Sequence, residues 1–127
     1  MVGKLLFERY LKVKLSEITE PEYFELFDFR INQSIYVDFK NWQETTDFNR
    51  EKQVEKITAK AERCGCKCVI IANILTEHEN YSISADNSSG IEILIIPSLL
   101  IEKSKSLNIK AREKIKECMN RYADKDK

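Results

Sequence analysis

The sequence has little of what interrupts regular structure, with three glycines and two prolines among 127 residues. Long helices and strands are therefore expected. It also lacks an excess of charge of either sign, because Lys plus Arg and Asp plus Glu each number 21. A balanced charge argues against a bulk polyanion binder of the histone type, but it leaves room for a local basic groove.

Long hydrophobic runs are missing as well. The first ten residues lack the apolar stretch of a secretory signal. The run at 91–101 contains Glu92 and Pro97 and is too short to span a bilayer. These absences predict a soluble, cytoplasmic protein with no membrane partner.

Cysteine is present but is not spaced for a disulfide framework, since three of the four cysteines fall within five residues. They are Cys64, Cys66, Cys68 and Cys118. In a cytoplasmic protein these thiols are expected to be reduced.

Hydrophobic residues make up 43% of the chain, which is enough for a core in a domain of this length. We expect a single domain over residues 1–127, whether whole or cut from a larger protein with other domains. Apolar spacing and turn residues predict, in order, a helix at 4–13, strands at 23–31 and 35–40, a polar loop at 42–49, a helix at 50–64, strands at 68–75 and 91–96, and a helix at 108–122.

This order predicts an α/β fold. A helix between a two-stranded hairpin and a buried strand favours a crossover into the same sheet, hence a mixed sheet with helices on both sides.

The hairpin has a preferred register. A three-residue loop at 32–34 pairs Ile31 with Ile35 and Phe29 with Val37, and the same register sets Phe27 opposite Phe39. All these apolar side chains then meet on one side of the hairpin, and this burial is what fixes a strand register.

The same register brings like charges together on the other side. Asp28 lies opposite Asp38, Lys40 follows on the same face, and Arg30 and Tyr36 complete a polar surface. Two carboxylates facing across a ladder are normally destabilising, so the pair is a candidate site. A bound Mg²⁺ or Mn²⁺ removes the repulsion. Lys40 then stands next to a metal-bound water, which it could position or deprotonate. The alternative is a solvated strand face with a surface ion pair.

These residues resemble the PD-(D/E)XK, or restriction-endonuclease-like, nuclease superfamily. Asp38-Phe39-Lys40 resembles its (D/E)XK element, and Phe27-Asp28 stands where many members have Pro-Asp. The resemblance implies a restriction-endonuclease-like mixed β-sheet core flanked by α-helices, and Mg²⁺-dependent hydrolysis of phosphodiester bonds in DNA.

The resemblance also implies roles for single residues. Asp28 and Asp38 are expected to ligate the metal with help from the Phe39 carbonyl, and Lys40 is expected to act on the attacking water. Glu8 matches a catalytic Glu that many members carry on the first helix. Some members carry a Gln and a Tyr one turn apart on the helix after the Lys; here Gln53 is present as a candidate substrate-binding residue, but Ile57 replaces the Tyr.

Other features of the sequence have both a functional and a structural explanation. Trp42 could stack on a base and is a second candidate for substrate binding, although packing at the rim of the core is favoured. The basic residues of 103–116 are interspersed with Glu, which favours a solvated helix face. The cysteines, with Cys118 or His78, could hold zinc, but small buried hydrophobes beside a helix-ending Gly65 are favoured.

Three functions therefore stand side by side. The first is a metal-dependent DNA nuclease, alone or as the nuclease domain of a larger DNA-processing protein. The second is a catalytically inactive domain of the same fold that binds nucleic acid or protein. The third and weakest is a zinc-stabilised binding domain.

Overall fold

The computed structural model describes residues 2–40, 50–73, 84–86, 90–97 and 105–122. Three helices and five strands lie in these ranges. In chain order they are α1 (Val2–Leu11), β1 (Phe29–Arg30), β2 (Ile35–Lys40), α2 (Arg50–Cys64), β3 (Cys68–Asn73), β4 (Ser84–Asp86), β5 (Glu92–Pro97) and α3 (Lys105–Arg121).

The five strands form one mixed sheet in the order β1-β2-β3-β5-β4. The inner pairs β2–β3 and β3–β5 are parallel, while β1–β2 and β4–β5 are antiparallel. A parallel neighbour requires a crossover connection, and α2 lies within the one from β2 to β3. The predicted mixed sheet flanked by helices is confirmed.

The two faces of the sheet are covered by different helices. Side chains of α1 and α3, including Phe7, Leu11 and Ile115, pack on one face, which we call the α1/α3 face. Ile57 and Ala61 of α2 pack on the opposite face, the α2 face. Because helices cover both faces, the inner strands read as continuous apolar runs rather than alternating ones.

The hairpin register predicted from the sequence is confirmed. Phe29 pairs with Val37, and the backbone amide of Ile31 donates to the carbonyl of Ile35 over 2.9 Å. The loop owes its shape to Asn32, whose side-chain Oδ1 accepts from the backbone amides of Ser34 and Ile35. Such a side-chain turn satisfies two donors that the short loop cannot pair otherwise.

The long strand predicted at 23–31 is wrong in its first part. Residues 21–26 form turns, with amide-to-carbonyl bonds from Tyr23 to Glu20 and from Leu26 to Tyr23. Pro21 fits such a turn, and the dense aromatic residues that suggested a strand are split between core and solvent. Phe27 consequently faces the α2 side, where its ring meets that of Tyr36, and does not join Phe39.

The helix boundaries follow from backbone conformation. α1 ends at Leu11, two residues earlier than predicted, because Lys12 adopts a left-handed conformation with φ +57°. α2 ends as predicted at Gly65, with φ +70°. The amide of Gly65 donates to the Glu62 carbonyl and the amide of Cys66 donates to the Ala61 carbonyl. These two hydrogen bonds are those of a Schellman cap.

The remaining differences lie near chain segments without strong periodicity. β4 was not predicted, because the polar sequence around it suggests a loop, and α3 begins three residues earlier than predicted. The predicted loop at 42–49, including Trp42, and His78 lie outside the described residues. Within the described ranges, no helix has the length and apolar character needed to cross a membrane.

Candidate functional site

The site lies where the β1–β2 hairpin ends. Alternate side chains of a strand share a face, so β2 places Asp38 and Lys40 together on the α2 face. Asp28 comes directly before β1, and the pairing of Phe29 with Val37 sets it opposite Asp38. The sheet therefore brings together the three residues that the sequence placed at the centre of the site.

The two carboxylates are locked to each other's strand by backbone amides. The amide of Asp28 donates to Asp38 Oδ1 over 3.1 Å, and the amide of Phe39 donates to Asp28 Oδ2 over 2.9 Å. These crossed bonds replace the regular ladder at this point. They hold both carboxylates in place through backbone donors.

Burial distinguishes the two acids. The side chain of Asp38 is 6% exposed, whereas Asp28 lies at the surface. Burial and a hydrogen bond with the Asp28 carboxyl raise the pKa of Asp38 to about 6, against the opposing effect of Lys40. Lys40 Nζ lies 3.0 Å from Asp38 Oδ2 and is 29% exposed. With both acids ionised, the three groups carry one net negative charge.

This arrangement fits a hard divalent cation. Mg²⁺ and Mn²⁺ take oxygen ligands, commonly one or two carboxylates with water completing the shell. Asp28 and Asp38 supply two carboxylates at one point, one of them open to solvent. A surface ion pair between Lys40 and Asp38 explains neither the burial of Asp38 nor the second carboxylate beside it.

Glu8 is placed differently. Its Oε2 accepts a hydrogen bond of 2.8 Å from the backbone amide of Leu15, and α1 packs on the α1/α3 face rather than the α2 face. Among the described residues its polar contact is thus with the segment after α1, and no contact with Asp28, Asp38 or Lys40 is found there.

The other predicted site residues take varied positions. Gln53 lies half-buried on the first turn of α2, the helix that follows the carboxyl end of β2. The amide of Phe39 faces Asp28, while its ring packs between Phe7 and Phe29 on the opposite face. The role of the Phe39 carbonyl stays a prediction. Trp42 lies outside the described residues.

Arg30 and Tyr36, expected on the polar surface, are instead drawn into a structural contact. Arg30 Nη1 donates to both carboxylate oxygens of Glu20 at 2.8 Å and to the Tyr36 hydroxyl at 3.2 Å. Tyr36 is only 1% exposed. Glu20 was missed from the sequence because it is ten residues from Arg30, with no periodic relation to it.

The four cysteines form two separate pairs. Cys64 and Cys66 lie at the end of α2, and a hydrogen bond from the Cys66 thiol lowers the pKa of Cys64 to about 7. Cys68 and Cys118 lie together on the α1/α3 face beside Glu92. The sequence pattern does not predict that Glu92 joins Cys68 and Cys118, because the three residues come from two strands and a helix.

Comparison with known proteins adds no relative. No protein-family model matches the chain, and no curated protein matches it. The geometry of the site is therefore the basis for assigning a function.

Proposed function

We propose that this chain is a metal-dependent nuclease with a restriction-endonuclease-like core, which hydrolyses phosphodiester bonds in DNA. The observation that carries the proposal is the meeting of Asp28, Asp38 and Lys40 at the end of the hairpin, with Asp38 buried and 3.0 Å from the Lys40 ammonium. A structural role offers no gain from burying a carboxylate against a second carboxylate.

The two acids are assigned to metal binding. Asp28 and Asp38 would hold Mg²⁺ or Mn²⁺ with carboxylate oxygens, and the Phe39 carbonyl is a further candidate ligand. When bound, the cation lowers the pKa of a coordinated water and offsets charge on the phosphoryl group. The chain's part is to keep both carboxylates in place, which the crossed backbone bonds to Asp28 and Asp38 do before any ion arrives.

Lys40 is assigned to the attacking water and the charge that develops on the phosphate. Its ammonium is held by Asp38 and is partly exposed, so a phosphate oxygen or a water can reach it. Attack of the water oxygen forms one phosphorus–oxygen bond and breaks the bond to the leaving oxygen. The attacking water gives up one proton to solvent, and the departing oxygen takes up one from solvent. A fixed cation beside the phosphate stabilises this transition state more than the ground state.

One observation favours the second candidate, a catalytically inactive domain of the same fold that binds nucleic acid or protein. Glu8 is engaged by the Leu15 amide and not by the acidic pair. A member that has lost a third acid from its site could retain the fold and a binding surface without cleavage.

The experiment is a cleavage assay on supercoiled plasmid and on single-stranded DNA, with Mg²⁺, with Mn²⁺ and with chelator. Wild-type protein is compared with Lys40→Ala, Asp38→Asn and Asp28→Asn. The matched controls are Lys110→Ala and Glu113→Gln, which change exposed residues of α3. We expect metal-dependent cleavage that falls about 100-fold or more in each site variant and stays unchanged in the controls.

The possible failures separate the candidates. Cleavage that survives Lys40→Ala or Asp38→Asn contradicts the assignment. If wild-type protein neither cleaves nor gains thermal stability with Mn²⁺, the binding domain is favoured, and DNA retention in a gel-shift assay then tests its ligand.

A further inference from the structure

A second cluster of metal-ligating side chains lies at the opposite end of the sheet. Cys68 is the first residue of β3 and Glu92 the first of β5, and the two are direct partners in the parallel register. Cys118, in the last turn of α3, lies beside these two residues. One sulfur or oxygen from each lies within 4.8 Å of the others, and all three residues are buried.

The surroundings of this cluster already contain a cation. Arg121 Nη2 donates to both oxygens of Glu92, at 2.7 and 2.9 Å, and the Tyr122 hydroxyl donates to the same carboxylate at 3.1 Å. The guanidinium also lies 3.9 Å from Cys118 Sγ. Arg121 is half exposed, so it lies on the solvent side of this cluster.

The thiols of Cys68 and Cys118 are hydrogen-bonded to each other. Their hydrogen bond lowers the pKa of Cys118 and raises that of Cys68, so Cys118 is the thiol that loses its proton first. A thiolate is the form that binds metals. Burial and the Glu92 carboxylate act to raise the pKa of Cys118, and the Arg121 guanidinium acts to lower it.

The distances suit a tetrahedral ion. With zinc–sulfur bonds of about 2.3 Å, two sulfurs of a tetrahedron stand about 3.8 Å apart. The cluster, with its ligand atoms within 4.8 Å, needs only a small contraction. Two sulfurs and one carboxylate select a soft or borderline cation over Mg²⁺.

Charge balance supports the same ion. With both thiols protonated and no metal bound, the two thiols, one carboxylate and one guanidinium sum to zero. When a divalent cation enters and two thiol protons leave, three negative ligands face the cation and Arg121, and the sum is again zero. The cluster and Arg121 are therefore neutral together both with and without the ion, which avoids the cost of an uncompensated buried charge.

We propose that Cys68, Glu92 and Cys118 form a Zn²⁺ site that ties α3 to the ends of β3 and β5. The three protein ligands leave one tetrahedral position for a water. Since the ion joins elements distant in sequence, it stabilises the folded chain and does not take part in phosphodiester hydrolysis. The proposal is independent of the nuclease assignment, because Asp38 lies on the other face of the sheet and pairs with Ile71, three residues beyond Cys68.

The experiment titrates reduced, chelator-treated full-length protein with Co²⁺ and then with Zn²⁺. We expect one equivalent of Co²⁺ to produce thiolate-to-cobalt charge-transfer absorption, and one equivalent of Zn²⁺ to abolish it and raise the thermal midpoint. Cys118→Ser loses this absorption and the thermal shift. The matched control Cys64→Ser, which alters the other thiol pair, keeps both.

Two further variants keep the test decisive. Glu92→Gln retains an oxygen acceptor for Arg121. We expect this variant to keep the thiolate absorption but to release Co²⁺ at a lower chelator concentration than wild type. It replaces Cys118→Ser as the test variant if Cys118→Ser lacks the native circular dichroism spectrum. Asp38→Asn binds Zn²⁺ as wild type does, which separates this site from the nuclease site. The proposal is overturned if reduced wild-type protein binds neither ion, or if Cys64→Ser abolishes the absorption as Cys118→Ser does.

Discussion

At the scale of single residues, Asp38 is subject to opposing electrostatic effects, because burial and Asp28 disfavour its charged form while Lys40 favours it. It is an acid on a buried strand position, in contact with a second acid and a lysine. Its raised pKa means that the folded chain holds this proton more tightly than the unfolded chain does. The folded state thus favours a positive partner for Asp38, whether a proton or a metal ion.

This raised pKa predicts a pH dependence of stability in the presence of chelator. Between about pH 4 and about pH 6 the unfolded chain has lost the Asp38 proton while the folded chain still binds it, so the contribution of Asp38 to stability falls as pH rises through this window. The rise from 3.8 to about 6 corresponds to a loss of about 3 kcal/mol. Urea unfolding at a series of pH values measures it.

The variant Asp38→Asn checks the cause. It lacks the titrating group, so we expect its stability to decline less than that of wild type across the same window, whereas Glu113→Gln follows wild type. Identical pH profiles for wild type and Asp38→Asn would show that another group is responsible.

At the scale of elements, α1 packs on the sheet through its apolar side chains, and Glu8 of this helix contacts the segment that leads on to β1. Glu8 accepts the Leu15 amide, and Ser16 exchanges two backbone bonds with Arg30 of β1. The contact of Glu8 therefore fixes the path of the chain between helix and sheet.

Glu8 thus has a structural role that can be separated from a catalytic one. Glu8→Gln keeps an oxygen acceptor for Leu15 but removes the charge, so we expect a loss of stability below about 1 kcal/mol and, if Glu8 is not a metal ligand, nuclease activity near that of wild type. Glu8→Ala removes the acceptor and costs about 1–2 kcal/mol. Loss of cleavage in Glu8→Gln with unchanged stability would instead support the catalytic role implied by the family resemblance.

The hairpin loop offers a second prediction for an element. Asn32 accepts two loop amides through Oδ1 and donates through Nδ2 to the Tyr122 carbonyl over 3.3 Å. Asn32→Ala leaves these groups to water, and we expect a loss of about 1–2 kcal/mol. Asn32→Asp keeps the acceptor oxygen and should lose less, so equal losses in thermal unfolding for the two variants would contradict the role given to Oδ1.

At the scale of the whole molecule, the two candidate metal sites use opposite ends and opposite faces of one sheet. Asp38 sits beside Ile71 near the carboxyl end of β3, and Cys68 begins that strand on the other face. Three residues of strand separate them by about 10 Å.

This separation predicts independent effects on stability. In the presence of chelator, we expect the changes in the free energy of unfolding caused by Asp38→Asn and by Cys118→Ser to add in the double variant, to within about 0.5 kcal/mol. Chemical denaturation of the four proteins measures the sum. A larger deviation would mean that the sheet core transmits changes between its two ends.

The hairpin, α2 and the inner strands could be predicted from the sequence because their signals are local. Alternation fixed the pairing of Phe29 with Val37, and with it the meeting of Asp28 and Asp38. A glycine with positive φ ended α2 at Gly65. The first part of the strand predicted at 23–31 is wrong because aromatic residues can also occupy turns when the core lies beside them.

What the sequence determined by itself is thus the part of the molecule in which neighbouring residues settle the outcome: the helix periods, the hairpin register and the acidic pair that this register forces together. Only the tertiary structure decided that Arg30 forms an ion pair with Glu20 and that Glu8 accepts a hydrogen bond from the Leu15 amide. The same holds for the cluster of Cys68, Glu92 and Cys118. The physical reason is that these contacts join segments distant along the chain, and side-chain pattern within one segment carries no information on which other segment will be packed against it.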